Sequence, residues 1–169
     1  MFTKAIVRIP GKSLIHGLSD SKSLGLPNYD EAITQHKLYI EALKVCGLEV
    51  TVLEPCEEYP DSTFIEDVAL ITPHCAIITR PGAPTRRDEI TKIDSVLRNE
   101  FSNVEVIEAP GTIEAGDVMM VGSHFYIGLS DRTNRSGAEQ TIGILKKYGM
   151  TASTVTLNEV LHLKTGLSY

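Results

Sequence analysis

The chain has 169 residues, 42% of them hydrophobic, and carries 22 acidic against 16 basic side chains. This composition is typical of one globular domain, and its formal charge of −6 argues against nucleic acid as a partner, because phosphate backbones repel acidic proteins. No apolar run reaches the roughly 20 residues of a membrane span, and the N-terminus lacks the features of a signal peptide. We therefore expect a cytoplasmic protein that does not bind a membrane.

Helical periodicity predicts three helices, in the segments NYDEAITQHKLYIEALKVCG, TRRDEITKIDSVLRNEF and TNRSGAEQTIGILKKYG. In the first, Asn28 and Glu31 are spaced as a capping box, and Gly47 suits the C-terminal cap. Thr85 is the predicted N-cap of the second helix, and Gly149 the predicted end of the third. Short strands flank each helix, so the fold class is α/β.

The elements recur at an interval of about fifty residues. Asp67 and Asp117 each stand directly before a predicted hairpin, and Gly166 precedes Leu167 at the corresponding place in a third unit. Such units pack against one another because none can bury its apolar face alone. We expect residues 1–169 to form a single domain that is the front portion of a longer chain, truncated within a repeat unit after Tyr169.

Acidic residues collect in the first polar turn, YPDSTFIEDVA, which holds Asp61, Glu66 and Asp67. Three carboxylates brought together by flanking strands would need a cation, and a guanidinium suits them because its planar fork donates to carboxylates in pairs. A solvated acidic loop is the alternative interpretation.

The next two units place an acid and a histidine at the corresponding turns. Glu114 lies between Gly111 and Gly116, glycines that indicate either positive φ or a close backbone approach. His162 alternates with leucines, a pattern also typical of a packed core residue. A glutamate in contact with a histidine would orient the ring and favour its protonated form, as acid–base catalysis requires.

Arginines follow the hairpins, and Arg86 and Arg132 occupy equivalent places near helix starts. An arginine there could hold a substrate carboxylate, although surface ion pairing is the alternative. Together these residue types predict a substrate with a guanidinium at one end and an amino-acid carboxylate at the other, which means arginine or a derivative.

Several longer motifs resemble those of the dimethylarginine dimethylaminohydrolase family: PDSTFIEDVALI, CAIITRPGAPTRR, IEAPGTIEAGDVMMVG and VLHLKTGL. The family belongs to the guanidine-modifying (amidinotransferase/deiminase) superfamily, whose pentein-type fold is a five-bladed α/β propeller. The resemblance covers the first two-thirds of a typical member. It implies an incomplete propeller of about three of the five units, each a small mixed sheet with a helix.

The resemblance also implies the reaction, which is hydrolysis of Nω-methylated arginine to citrulline and a methylamine without cofactor or metal. His162 matches the family's general acid–base residue and Glu114 its partner. The residues that match substrate-binding positions are Leu18 in a mobile loop, Asp61, Glu66, Asp67, Arg86 and Arg132. The family's cysteine nucleophile lies far beyond position 169, and Cys46, Cys56 and Cys75 are interpreted as structural thiols. We therefore expect this chain alone to be inactive or nearly so.

Two further hypotheses remain open. The chain could be a non-catalytic protein that binds arginine-like ligands or self-associates through exposed strand edges, as a homo-oligomer. It could also be a relative of arginine deiminases or amidinotransferases. The binding hypothesis predicts affinity for methylarginine without citrulline formation, whereas a deiminase would prefer unmethylated arginine.

Overall fold

A computed structural model describes residues 2–19 and 22–169 of the chain, so Asp20 and Ser21 of the predicted mobile loop lie outside the described residues. The contacts divide the chain into two compact units, Met1–Ile65 and Glu66–Tyr169. Among the described residues, no helix combines the length and the apolar character needed to cross a membrane.

The first unit is a βαβ arrangement. Strands β1 (Lys4–Arg8) and β2 (Glu49–Leu53) pair in parallel, and helix α1 (Tyr29–Val45) connects them. The predicted caps of α1 are confirmed: Asn28 Oδ1 accepts from the Glu31 amide at 3.1 Å, and Gly47 has φ +85°. The helical periodicity is also reflected in burial, since Ile40 is buried and Ile33, His36 and Leu43 on the same face are partly buried.

The second unit contains two similar mixed sheets. The first consists of β3 (Ala69–Ile71), β4 (Ala76–Ile78) and β5 (Val104–Val106), with α2 (Asp94–Glu100) before the last strand. The second consists of β6 (Val118–Val121), β7 (His124–Leu129) and β8 (Thr151–Thr156), with α3 (Arg135–Lys147) before the last strand. In each sheet an antiparallel hairpin is followed by a strand that returns in parallel after its helix. This confirms the predicted repeat of small mixed sheets with helices.

The prediction for the second helix was wrong in its first half. Residues Pro84–Lys92 form a 3₁₀ helix with Ala83, not Thr85, as its N-cap, and the α-helical part begins only at Asp94. Side chains three residues apart align on a 3₁₀ helix, and here that period keeps the buried Arg86 and Glu89 together. The segment that carries the buried Arg86–Glu89 ion pair is therefore a 3₁₀ helix, which is wound more tightly than the α-helix that the apolar periodicity predicted.

The core of the second unit lies between its sheets and α3. Phe125, Ile127 and Leu145 are fully buried there with residues of both sheets. Helix α3 approaches the loop at Thr112 so closely that a Cβ on Gly137 would lie 2.1 Å from the Thr112 carbonyl oxygen. The backbone of Ile113 also donates to the Arg80 carbonyl at 2.8 Å, which joins the loops that follow β4 and β5. Residues 111–117 are therefore held firmly in place.

Candidate functional site

Short 3₁₀ turns place one aspartate before each hairpin of the second unit. Asp67 lies in the turn Ile65–Val68, which precedes β3, and Asp117 lies in the turn Ala115–Asp117, which precedes β6. His162 has an extended backbone immediately before the short helix α4 (Leu163–Gly166). Asp67 and Asp117 thus occupy equivalent turns, as the interval of fifty residues predicted, and His162 lies at the start of the next short helix.

The imidazole of His162 lies among three carboxylates. Its Nε2 is 3.5 Å from Glu114 Oε2 and 3.8 Å from Asp67 Oδ1. Its Nδ1 is 3.4 Å from Asp117 Oδ1, an electrostatic contact whose alignment falls short of a strict hydrogen bond. Only 13% of the ring is exposed, so solvent screens these contacts weakly.

The charges around the ring change its acidity. Burial alone would lower the pKa of His162, but the carboxylates of Asp117, Asp67 and Glu114 more than offset it and raise the pKa above its ordinary value of 6.5. Burial works in the opposite direction on Asp117, whose pKa is nevertheless below 3.8 because His162, Ser130 and Thr133 stabilise the carboxylate. The geometry therefore favours an imidazolium beside an ionised aspartate.

Glu114 is 1% exposed and is positioned by the loop that follows β4. Its Oε1 accepts from the Ala83 amide at 3.1 Å and lies 3.6 Å from Arg132 Nη1. A Cβ on Gly82 would lie 2.4 Å from the Arg132 carbonyl oxygen, so only glycine permits this loop to approach Arg132. The loop after β4 thereby holds Glu114 and Arg132 together.

Asp67 forms an ion pair with a buried arginine. Its Oδ2 accepts from Arg86 Nη1 at 2.7 Å, while Arg86 Nε donates to Glu89 Oε2 at 2.9 Å. Burial would lower the pKa of Arg86, but Glu89 and Asp67 raise it above its ordinary value, and the guanidinium stays charged. The other oxygen of Asp67 accepts from the Gly116 amide at 3.2 Å. A Cβ on Gly116 would lie 2.8 Å from that oxygen and 3.0 Å from the His162 ring, which confirms the close approach predicted for this glycine.

The remaining predicted residues have contacts of their own. The Glu66 side chain is 61% exposed, and its carboxylate accepts from Lys164 Nζ at 2.6 Å. Asp61 and Leu18 belong to the first unit, where the Leu18 amide donates to Asp61 Oδ1 at 2.9 Å and the Leu18 side chain is half exposed. Within the second unit the structure brings together Asp67, Glu114, His162, Arg86 and Arg132.

Sequence reasoning did not assign two acidic residues of this cluster, Asp117 and Glu89. Asp117 is fully buried and accepts hydrogen bonds from Ser130, Thr133 and the Leu163 amide. Its repeat position, fifty residues after Asp67, was a signal for it. Glu89 is 2% exposed, and its spacing of three residues from Arg86 was a weaker signal.

The charges of the cluster leave a negative excess. Four carboxylates (Asp67, Glu89, Glu114 and Asp117) face two guanidiniums and one imidazolium, which suits a further cation. Ligand atoms of Asp67, Glu114 and His162 lie within 4.8 Å of one another, a donor set that a metal ion could use. Arg86 and Arg132 already place positive charge beside two of these carboxylates, and a protonated imidazole cannot bind a metal. The arrangement therefore favours an organic cation.

The cysteine of the second unit is remote from this chemistry. Cys75 is 1% exposed within the hydrophobic core, with its Sγ 3.4 Å from Thr72 Oγ1. Burial raises the pKa of its thiol, which disfavours the reactive thiolate. Cys46 and Cys56 belong to the first unit, one exposed and one buried.

Sheets of this kind define the class of the protein, the pentein-type α/β propellers. The N-terminal domain of ArgZ, a cyanobacterial arginine dihydrolase with product bound, superposes with a TM-score of 0.85 at 17% identity, over 98% of this chain and 62% of that chain. At that identity the similarity shows the fold alone. The predicted fold class is confirmed.

The chain belongs to the N,N-dimethylarginine dimethylhydrolase family, because residues 23–163 match the family described as "N,N dimethylarginine dimethylhydrolase, eukaryotic". It is 54% identical to the N(G),N(G)-dimethylarginine dimethylaminohydrolase of Pseudomonas aeruginosa, over all of this chain and 66% of that relative. The structure of a cysteine-to-serine mutant of the Pseudomonas aeruginosa enzyme, complexed with citrulline, superposes with a TM-score of 0.98 over the same shares of the two chains. The chain thus spans slightly less than two thirds of this relative's length.

Proposed function

We propose that this chain forms the larger part of a hydrolase that converts Nω-methylated arginine to citrulline and a methylamine. The observation that carries the proposal is the His162 ring, held between Glu114, Asp67 and Asp117 in a cluster with excess negative charge. A methylated guanidinium is a cation that this cluster suits, and its amine leaving group needs a proton that an imidazolium can supply.

Each residue has a distinct task in this proposal. His162 protonates the departing amine and then accepts a proton from water, while Glu114 stabilises the imidazolium and contacts the guanidinium. Asp67 binds the guanidinium, and Glu66 contributes only after its contact with Lys164 is released. The tasks of Asp61 and Leu18 in substrate binding rest on the family resemblance alone. Arg132, whose side chain is 22% exposed, pairs with the substrate carboxylate. Arg86 shares that task only after substrate binding alters its contacts with Asp67 and Glu89.

In our proposal the covalent step requires a cysteine thiolate, and none of the three cysteines of this chain supplies it. Cys75 lies in the core, and its raised pKa is the reverse of what a nucleophile needs. We therefore expect this chain to form no citrulline by itself, since covalent catalysis fails when its nucleophile is absent. No cofactor enters the proposed reaction, and we expect it to proceed in the cytoplasm.

The second candidate is a non-catalytic chain that binds arginine-like molecules or self-associates. The edge strands β5 and β8 favour it, because each pairs on only one side within its sheet. A third candidate, an arginine deiminase or amidinotransferase relative, has less support because the resemblance to the methylarginine hydrolases is longer.

The experiment that separates these candidates is to read the source DNA beyond the codon for Tyr169 and to assay the protein that it encodes. We expect an open frame with a cysteine near its end, and an encoded protein that forms citrulline from dimethylarginine faster than from arginine. An immediate stop codon would replace the proposal with the second candidate, and a preference for unmethylated arginine would replace it with the third.

A further inference from the structure

The two nitrogens of the His162 ring have different surroundings. Nε2 faces Glu114 and Asp67, which we assign to the substrate guanidinium. Nδ1 faces Asp117, a residue without exposed surface and therefore out of reach of a substrate. The ring thus has one nitrogen directed to the reaction and one directed into the protein.

The Asp117 carboxylate is fixed by its other contacts. Its Oδ2 accepts from Ser130 Oγ and Thr133 Oγ1, each at 2.6 Å, and its Oδ1 accepts from the Leu163 amide at 3.0 Å. Leu163 directly follows His162, so one aspartate oxygen contacts both the ring and the adjoining backbone. Three neutral donors hold the carboxylate ionised without neutralising it, and its charge remains available to Nδ1.

We propose that Asp117 is a positioning residue that keeps the proton of neutral His162 on Nδ1, so that Nε2 alone exchanges protons with the substrate. The inference deepens the proposed function and rests on it for the identity of that substrate. As the amine leaves, its nitrogen takes the electron pair of the breaking C–N bond and the proton of Nε2. That step follows attack by the cysteine thiolate that the proposed function requires, which forms a C–S bond to the guanidinium carbon. When water then attacks this carbon and forms a C–O bond, its proton goes to the lone pair of Nε2, and the C–S bond breaks with its electron pair returning to sulfur. The Nδ1 proton stays beside Asp117 through both steps.

The alternative is that Asp117 serves only to hold the fold. In that case its contacts with Ser130, Thr133 and Leu163 would only stabilise the turn. The contact of the ring with Glu114 would then determine which nitrogen of neutral His162 carries the proton. The two roles differ in a quantity that needs no turnover, which is the nitrogen that carries the proton in the neutral imidazole.

The test is ¹⁵N NMR of the chain labelled at its five histidines, with His162 assigned through a His162→Gln variant. The His162 ring is titrated against pH in the wild type, in Asp117→Asn and in Glu114→Gln. We expect Nδ1–H as the neutral tautomer in the wild type and in Glu114→Gln, and a loss of that preference in Asp117→Asn. Both variants should lower the midpoint of the His162 titration, because each removes a neighbouring negative charge.

An Nε2–H tautomer in the wild type would overturn the inference without any variant, even if Asp117→Asn fails to fold. An Asp117→Asn protein with native circular dichroism, an unchanged midpoint and an unchanged tautomer would assign Asp117 a purely structural role. Failure of the proposed function would show differently, as an absence of methylarginine binding in a chain whose His162 still carries its proton on Nδ1.

Discussion

Asp67 and Asp117 occupy the same position in two successive sheets, yet their surroundings are opposite. Asp67 is bound by a permanent cation, Arg86, at 2.7 Å, whereas Asp117 is bound by two hydroxyls and an amide that carry no charge. Both carboxylates raise the pKa of the His162 ring between them, but Asp67 shares its charge with a cation and lies near Nε2, whereas Asp117 is held by neutral donors and lies near Nδ1. The repeat therefore places a carboxylate at each turn, and the groups that contact this carboxylate determine its role.

Removing the cation from Asp67 should have the largest effect. Arg86→Met leaves Asp67 and Glu89 buried with their principal positive partner lost, and we expect the free energy of unfolding to fall by about 3–5 kcal/mol. The matched control is Arg98→Met, which removes an exposed ion pair with Asp94 and should cost less than about 1 kcal/mol. Urea denaturation measures both. Equal losses in the two variants would mean that Asp67 does not depend on Arg86.

Removing a neutral donor from Asp117 should have a smaller effect. Thr133→Val deletes one hydroxyl that donates to the buried carboxylate and accepts from the Glu114 amide, at an expected cost of about 1.5–3 kcal/mol. Thr141→Val is the matched control, because its buried hydroxyl donates to the uncharged Gly137 carbonyl, and its cost should be about 1 kcal/mol. A Thr133 variant no less stable than the Thr141 variant would contradict the view that Asp117 is ionised.

Gly116 lies between Asp67 and the His162 ring, and a side chain added there should disturb both residues. The Cβ of Gly116→Ala would press on Asp67 and on the His162 ring, and we expect a loss of about 1–3 kcal/mol in stability together with displaced His162 resonances. Gly143→Ala, inside α3 with open space around its Cβ, should be neutral or stabilising by up to about 1 kcal/mol. His162 resonances that are unchanged by Gly116→Ala would show that the ring is not packed against this glycine.

The smallest expected effect is the dependence of stability on pH. The raised pKa of His162 gives stability that is present below 6.5 and is lost as pH rises through the folded-state pKa. The lowered pKa of Asp117 gives stability that is present above 3.8 and is lost as pH falls through its folded-state pKa. The pair should therefore contribute most between pH 3.8 and 6.5, and Asp117→Asn should lower stability across that range and flatten the slopes below pH 3.8 and above pH 6.5. A profile that keeps the wild-type shape in that variant would contradict the pairing.

Much of the scaffold could be predicted from the sequence because caps and apolar faces are local signals. Asn28, Gly47 and Gly149 marked the ends of α1 and α3, and the repeated aspartates marked the starts of both hairpins. The 3₁₀ helix was not predicted because the pattern of apolar residues carries no information about the ion pair between Arg86 and Glu89.

The direction of side chains within a turn could not be predicted in the same way. Glu66 and Asp67 are adjacent in sequence, but one pairs with Lys164 at the surface and the other with Arg86 in the interior. The sequence placed Asp117 at the turn, but it did not indicate that Asp117 lies beside Nδ1 of His162 while Glu114 lies beside Nε2. Sequence spacing predicts which turn a residue belongs to, whereas the packing of the folded chain determines which side chains are in contact.

The most direct test of the account is calorimetric titration of the chain with dimethylarginine and with citrulline, which replaces the cationic guanidinium with a neutral group. We predict tighter binding of dimethylarginine, and a loss of about tenfold or more in its affinity in Glu114→Gln. The matched variant Glu105→Gln should leave that affinity unchanged, because Glu105 pairs with Lys147 and Tyr148 outside the His162 cluster. Equal affinity for the two ligands, or an affinity for dimethylarginine that Glu114→Gln does not reduce, would contradict the claim that this cluster binds a guanidinium.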